Sequence, residues 1–178
     1  IKFNTNSDTE VLLALYLRLS ESAEGRPSSA SLSSLLSRIN GIFAFAIWDS
    51  RCNSLLLVRD AFGVKPLYIH RVKNSIFFAS ELKALCCRKS NIDVRSINNY
   101  LTYLWCPGDR TPSCDVRKVA PGEFLWVSNG LDVEKCIWYK SPTFKPVRKS
   151  VSSVKQAIVG TEQHLRAAVH RQLLADVP

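Results

Sequence analysis

The 178-residue sequence has no methionine, three histidines, and far fewer acidic than basic residues, 15 against 24. Each shortage narrows the reading. With Ile1 first and no Met at all, the expectation is a processed, trimmed or internal piece of a longer chain, and Ala175-Asp176-Val177-Pro178 follow a good helix without the look of a natural stop. His70 falls near a predicted strand and His164 and His170 on the exposed face of the closing helix, which suggests neither a triad nor a metal site. No apolar run is long enough to cross a bilayer and no basic-then-apolar leader opens the chain, so no membrane is expected and a cytoplasmic location is. The net charge of +9 is spread over Arg18, Arg38, Arg59, Lys83, Arg117, Lys145 and Arg171. Without an RNP-like aromatic box, zinc-finger spacing or a Lys/Arg block, it reads as a solvated basic surface rather than a nucleic-acid partner site. The six cysteines form no CxxC pair, and Cys86 and Cys87 are adjacent, a pattern of reduced structural thiols.

What is present is the balance of a globular protein, 46% hydrophobic and 22% charged residues. Residues 7–19 predict a helix, with Ser7 and Glu10 spaced as a capping box, Asp8 in the first turn, and Leu12, Leu15, Tyr16 and Leu19 on one face. Residues 20–37 read as a Ser-rich surface insertion, with Leu32, Leu35 and Leu36 as the material of a short helix. From Gly41 to Asp49 the run GIFAFAIWD is apolar on both pleat faces and predicts a strand buried on both sides. Ser54–Arg59 predicts its hairpin partner. A third strand follows from Pro66-Leu67-Tyr68-Ile69, and Ser75–Ala79 is the fourth. Ser80 is placed to cap a short helix with Leu82 and Leu85, and Asp93 to cap another with Ile97, Tyr100, Leu101 and Leu104 at helical spacing. Pro107–Cys114 reads as a loop. Within Lys118–Asn129 a Pro-Gly turn precedes the strand EFLWVSNG, which ends in an Asn-Gly hairpin signal with Cys136–Tyr139 as partner. Residues 140–152 read as a linker, and a helix to about Leu174, with Leu165, Val169 and Leu173 aligned, closes the chain without a partner of its own.

Six segments in order then carry a resemblance: FNTNSDTEVLLALY, NGIFAFAIWDS, LLLVRDAFGVKPLYIH, FASELKAL, VRKVAPGEFLWV and LRAAVHRQLLADVP. Together they resemble glutamine-hydrolysing asparagine synthetases over nearly the whole chain, with 20–37 the poorest match. RDxxGxxPL alone speaks only for class II glutamine amidotransferases; FAFAIWD, ASELKAL and ADVP narrow the resemblance. It implies an α+β fold, an incomplete Ntn-hydrolase-like four-layer αββα sandwich followed by the first helix of an α/β synthetase domain. The implied organisation is the later part of an amidotransferase domain over 1–139, a linker over 140–152, and the start of an ATP-dependent synthetase domain over 153–178. The implied chemistry is glutamine hydrolysis to ammonia, with ATP and Mg²⁺ activating aspartate as aspartyl-AMP at a site outside this segment. Glutamine and aspartate are the implied small-molecule partners, and a homodimer is an open option.

Residue by residue, the resemblance implies that Asp8 in Ser-Asp-Thr-Glu binds the α-amino group of glutamine, against a bare reading as a helix-stabilising charge. Arg59, Asp60, Gly63, Lys65 and Pro66 match RDxxGxxPL. The preferred reading is structural, an Arg-Asp pair holding a loop with Gly and Pro setting its shape, and the functional alternative is a wall of the glutamine pocket or ammonia tunnel. Ser80 and Glu81 match the ASE motif as a cap and a structural contact. No catalytic residue is assigned: the family's N-terminal Cys nucleophile and its SGGxDS loop have no counterpart, so the segment alone is expected to be inactive. Trp105, Pro107, Gly108, Asp109 and Thr111 resemble a loop of bacterial-type members that includes enzymes amidating sugars or peptides. That leaves another acceptor, or an inactive fragment, as alternatives.

Overall fold

A computed structural model describes residues 3–21, 25–85, 91–128, 132–142 and 153–173. In chain order the elements are α1 (Asp8–Glu21), α2 (Ser29–Leu36), β1 (Ala44–Asp49), β2 (Ser54–Arg59), β3 (Tyr68–Val72), β4 (Ser75–Ala79), a 3₁₀ turn (Leu82–Ala84), α3 (Val94–Tyr103), β5 (Val116–Lys118), β6 (Glu123–Ser128), β7 (Asp132–Ile137) and α4 (Val154–Gln172). The chain divides into two units, 1–141 and 142–178.

In the first unit the strands form two antiparallel sheets, one in the order β1-β2-β6-β7 and one in the order β4-β3-β5. Register decides what each face of the larger sheet carries. Phe45 pairs with Val58, Val58 with Phe124, and Phe124 with Cys136; one pleat along, Ile47, Leu56 and Trp126 align in the same way. These residues share a face, because side chains directly opposite in a ladder point the same way. Tyr16 of α1 and Leu32 and Leu36 of α2 cover that face, giving a core in which Leu56, Val58, Phe124 and Trp126 are fully buried. Burial of each such side chain is worth roughly 1.5–3 kcal/mol, and this layer accounts for much of what holds the unit together. The opposite face presents Leu57 and Leu125, which meet Ile69 of β3 and Leu67 and Val119, the residues next to β3 and β5, in a second core.

The outer face of the smaller sheet follows from the same rule. Tyr68 pairs with Lys118, and His70 with Val116 and Phe77. His70 Nδ1 donates to the Leu85 carbonyl at 3.1 Å, and Lys118 Nζ donates to the Cys106 carbonyl. Cys106 in turn donates to the Ser96 carbonyl of α3 at 3.5 Å. The layers therefore run helix, sheet, sheet, and then the α3 segment, the αββα order expected of the sandwich.

Several local expectations are corrected. The strand from the GIFAFAIWD run is not covered on both faces along its length: Ala44 packs against the second core, but Ala46 is open and Trp48 is 61% exposed, because β1 is an edge strand and that core lies mainly under β2 and β6. Ser80 caps nothing. Glu81 stands at the start of the 3₁₀ turn and no side chain caps it. The stripe on α3 has helical spacing, yet Tyr100, Leu101 and Leu104 are exposed. The partner of β6 is Asp132–Ile137 rather than Cys136–Tyr139, and the Asn-Gly turn lies outside the described residues. Beyond the strand, Trp138 and Tyr139 both donate their amides to the Gly122 carbonyl. The insertion at 20–37 contains α2, capped by Ser28, which accepts from the Ser31 amide at 3.1 Å. Arg26 and Ser29 dock this segment onto Glu134 of β7. Cys52, Cys106, Cys114 and Cys136 are free thiols; Cys86 and Cys87 lie outside the described residues.

The second unit's described part is α4. Ser153 caps it, accepting from the Gln156 amide at 3.3 Å, and Leu165, Val169 and Leu173 are all exposed.

Candidate functional site

The start of α1 is set by local chemistry. Ser7 accepts from the Thr9 amide at 3.2 Å. Glu10 reaches back past it to the turn before, accepting from the Asn4 and Thr5 amides at 2.9 and 2.8 Å and from the Thr5 hydroxyl at 2.6 Å. The bond from the Thr5 hydroxyl, then those amides, hold the Glu10 carboxyl below its ordinary range. With one first-turn amide served by Ser7 and Glu10 engaged upstream, the Asp8 carboxylate is left exposed and accepts from the neighbouring Thr9 hydroxyl at 3.3 Å.

Asp8 lines a cleft of about 520 Å³ together with Leu12 of α1, residues 42–45 entering β1, Lys65 and Pro66 after β2, and Ser80 and Glu81 after β4. Three motifs far apart in sequence thus converge on one cavity, at one end of the sandwich. Its volume is that of a small-molecule site.

Arg59, Asp60 and Gly63 stand behind the cleft wall instead of lining it. They hold the loop, but not as an Arg-Asp ion pair: each engages backbone. Arg59, buried, donates to the carbonyls of Lys65 at 2.8 Å, Gly63 at 2.7 Å and Val119 at 2.6 Å. Desolvation pulls its guanidinium below the usual arginine range, with the Asp60 charge opposing. Asp60, 1% exposed, accepts from the amides of Phe62, Val64 and Lys65 at 3.1, 3.0 and 2.9 Å. The Asp60 amide donates to the Phe43 carbonyl at 2.9 Å, which ties the opposite wall of the cleft to the same residue. Gly63 has φ +67°, and a Cβ there would lie 2.8 Å from Pro121 and 3.1 Å from the Arg59 guanidinium, so only glycine fits. A guanidinium with three carbonyls and a carboxylate with three amides is a fully satisfied buried network, which makes the Lys65–Pro66 wall rigid.

Sequence reasoning had not picked out residues 42–45 or Leu12 as cleft lining. Phe43 stacks on Trp138 with ring centroids 6.1 Å apart, and Trp138 Nε1 donates to the Arg59 carbonyl at 3.2 Å, so the far hairpin supports this wall too. No local motif announces such contacts.

Chemically, the cleft offers carboxylates from Asp8 and Glu81, the Lys65 ammonium and the Ser80 hydroxyl, groups suited to orienting a small charged molecule. No cysteine is among its lining residues. Among the described residues no three His, Cys, Asp or Glu side chains converge on a metal position. Nor, among the described residues, is any helix long and apolar enough to cross a membrane.

Two stacked antiparallel sheets between helical layers, with a small-molecule cleft at one end, form an αββα sandwich of the Ntn-hydrolase-like kind. The glutamine phosphoribosylpyrophosphate amidotransferase from B. subtilis, solved with ADP and GMP, is a structural neighbour at TM-score 0.51. It is 21% identical and matches over 79% of this chain and 24% of its own, a likeness of fold alone. The model of the glutamine amidotransferase domain matches residues 1–138, and the chain belongs to that family. Among curated proteins, it is 34% identical to asparagine synthetase [glutamine-hydrolyzing] 1 of Bacillus subtilis over 94% of this chain and 26% of that protein. It is 31% identical to asparagine synthetase [glutamine-hydrolyzing] 3 of the same organism, over 99% and 27%, and 28% identical to amidase chry2 of Gibberella zeae, over 99% and 24%. The chain spans about a quarter of the length of these relatives.

Proposed function

We propose that the chain supplies one side of the glutamine site of a glutamine-dependent asparagine synthetase, with Asp8 holding the α-ammonium of glutamine. The observation that carries this is the convergence of Asp8 with Lys65, Pro66, Ser80 and Glu81 on one cleft. A carboxylate freed from capping duty and set at the mouth of a rigid-walled cavity fixes an ammonium by a charge-assisted bond and so orients the rest of an amino acid. Arg59, Asp60 and Gly63 act as positioning residues for that wall. In this reading the nucleophile that releases ammonia, and the ATP and Mg²⁺ that activate aspartate, belong to other parts of the parent chain, and α4 begins the synthetase domain.

The test is Asp8→Ala in the full-length protein. Glutamine-dependent synthesis should lose about tenfold in kcat/KM, chiefly through KM, as expected for one charge-assisted bond. Synthesis from added ammonia should stay within about twofold. Equal loss of both would make Asp8 a structural residue. The 178-residue chain by itself should release no glutamate from glutamine, and measurable release would sink the assignment of the nucleophile elsewhere. A second reading, in which ammonia passes to another carboxylate, draws support from the amidase among the relatives. Product analysis with and without aspartate separates the two.

A further inference from the structure

A second cavity of about 410 Å³ shares no lining residue with the Asp8 cleft. Arg95, Arg110 and Arg117 line it, with Asp93 and the hydroxyl residues Thr111 and Ser113. Arg110 and Arg117 lie directly opposite one another in an isolated antiparallel bridge, so two guanidinium side chains leave the backbone side by side. Like charges in that relation repel, and each is partly offset from outside the pair: Arg110 by Asp93 at 2.8 Å, Arg117 by Asp109 at 2.9 Å. Arg95, on the first turn of α3, has no carboxylate partner among the described residues. The lining therefore carries three cations against one carboxylate, and both paired arginines remain at least half exposed, with free N–H donors.

The backbone beneath is fixed. Asp93 donates its amide to the Pro112 carbonyl at 2.9 Å, Cys114 to the Asn91 carbonyl at 2.9 Å, and Ile92 bridges Ser113. Buried Thr111 accepts from the Ser113 amide and donates to the Val116 carbonyl. Arg95 on α3, Arg110 on the loop and Arg117 on β5 thus project from braced backbone that a ligand does not have to gather, which removes the backbone part of the ordering cost of binding.

We propose that this cavity binds a small molecule through a phosphate or diphosphate group, held by Arg95, Arg110 and Arg117. Planar guanidinium forks match phosphate oxygens in pairs, and an anion between Arg110 and Arg117 relieves their mutual repulsion. Three forks exceed what one phosphate uses, so diphosphate is held more tightly than phosphate or sulfate.

The experiment is calorimetric titration of the full-length protein with sodium diphosphate, phosphate, sulfate and ADP at constant ionic strength, using wild type, Arg95→Gln, Arg117→Gln and the remote exposed control Arg38→Gln. Saturable diphosphate binding, weakened about tenfold by each cavity variant and unchanged by the control, is the expected result. ADP binding as tightly as diphosphate would assign the recognition to the diphosphate moiety; ADP binding more tightly would identify a nucleotide as the class. Arg95 makes no ion pair among the described residues, so Arg95→Gln should melt with the wild type and its effect cannot come from unfolding. Absence of saturation at low-millimolar diphosphate, equal weakening by the control, or indifference to both cavity variants would each overturn the proposal.

Discussion

Asp49 has lost almost all contact with water, and its neighbours explain how a charge survives there. Arg51 reaches back to it at 2.6 and 2.9 Å, and the Tyr16 hydroxyl donates at 2.9 Å. The bond from Arg51 dominates over burial, with Tyr16 adding to it, and the carboxyl is pulled down to about 2. Burial first, and then Asp49, push the Tyr16 phenol upward, so it stays a donor. A carboxyl depressed in the folded state stabilises above its unfolded pKa and loses that contribution as pH falls through its folded value. Asp49→Asn should therefore cost about 2 kcal/mol at neutral pH. In urea unfolding, the gap to wild type should close as pH drops from the ordinary carboxyl value toward about 2. A gap that persists unchanged at low pH would mean the Asn variant is losing packing instead of charge. The sequence placed Tyr16 on a helix face and Asp49 at a strand end but not their pairing, since 33 residues separate them and only docking of α1 on β1 brings them together.

At the scale of elements, the caps at Ser7 and Asp93 were legible, while the one expected at Ser80 does not form. Asp93 caps α3, accepting from the Ser96 amide at 3.2 Å. What local chemistry could not show is which side of an element meets a partner. Both β1 and α3 carry apolar residues on faces that remain open, because burial depends on what lies opposite and not on the strand or helix itself. The end of α3 stores a small strain: Leu104 sits at φ +59° in the left-handed region, with 80% of its surface exposed. Its side chain gains little there, while the backbone conformation is one that glycine adopts freely. Leu104→Gly should raise stability by up to about 1 kcal/mol, read as a higher thermal midpoint. A lower midpoint would show that the leucine is packed in solution.

Over the whole first unit, one sheet serves two cores. Residues 56 and 58 face the helices and residues 55 and 57 face the second sheet, so loss of packing on either side loosens the same strand. Leu57→Ala, at a fully buried position between the sheets, should cost about 2–5 kcal/mol. Circular dichroism of the backbone and of the aromatic side chains, which include Trp126 on the other face, should report a single shifted transition. Separate transitions would mean that the two cores unfold independently.

The sequence by itself determined most of the strands, most of the helix starts and the family, because period, turn residues and ordered motifs are local or linear signals, but it missed β5 and misplaced β7. It also singled out Asp8 and the Arg59–Pro66 loop. It did not determine that Asp8, Lys65 and Glu81 share a cavity, that Arg59 and Asp60 brace the cleft wall through six backbone hydrogen bonds instead of pairing with each other, or that three arginines from separate segments line a second cavity. Those facts depend on how two sheets stack and which loop ends fall together. That is decided by the packing of side chains remote in sequence, for which a linear pattern carries no distance.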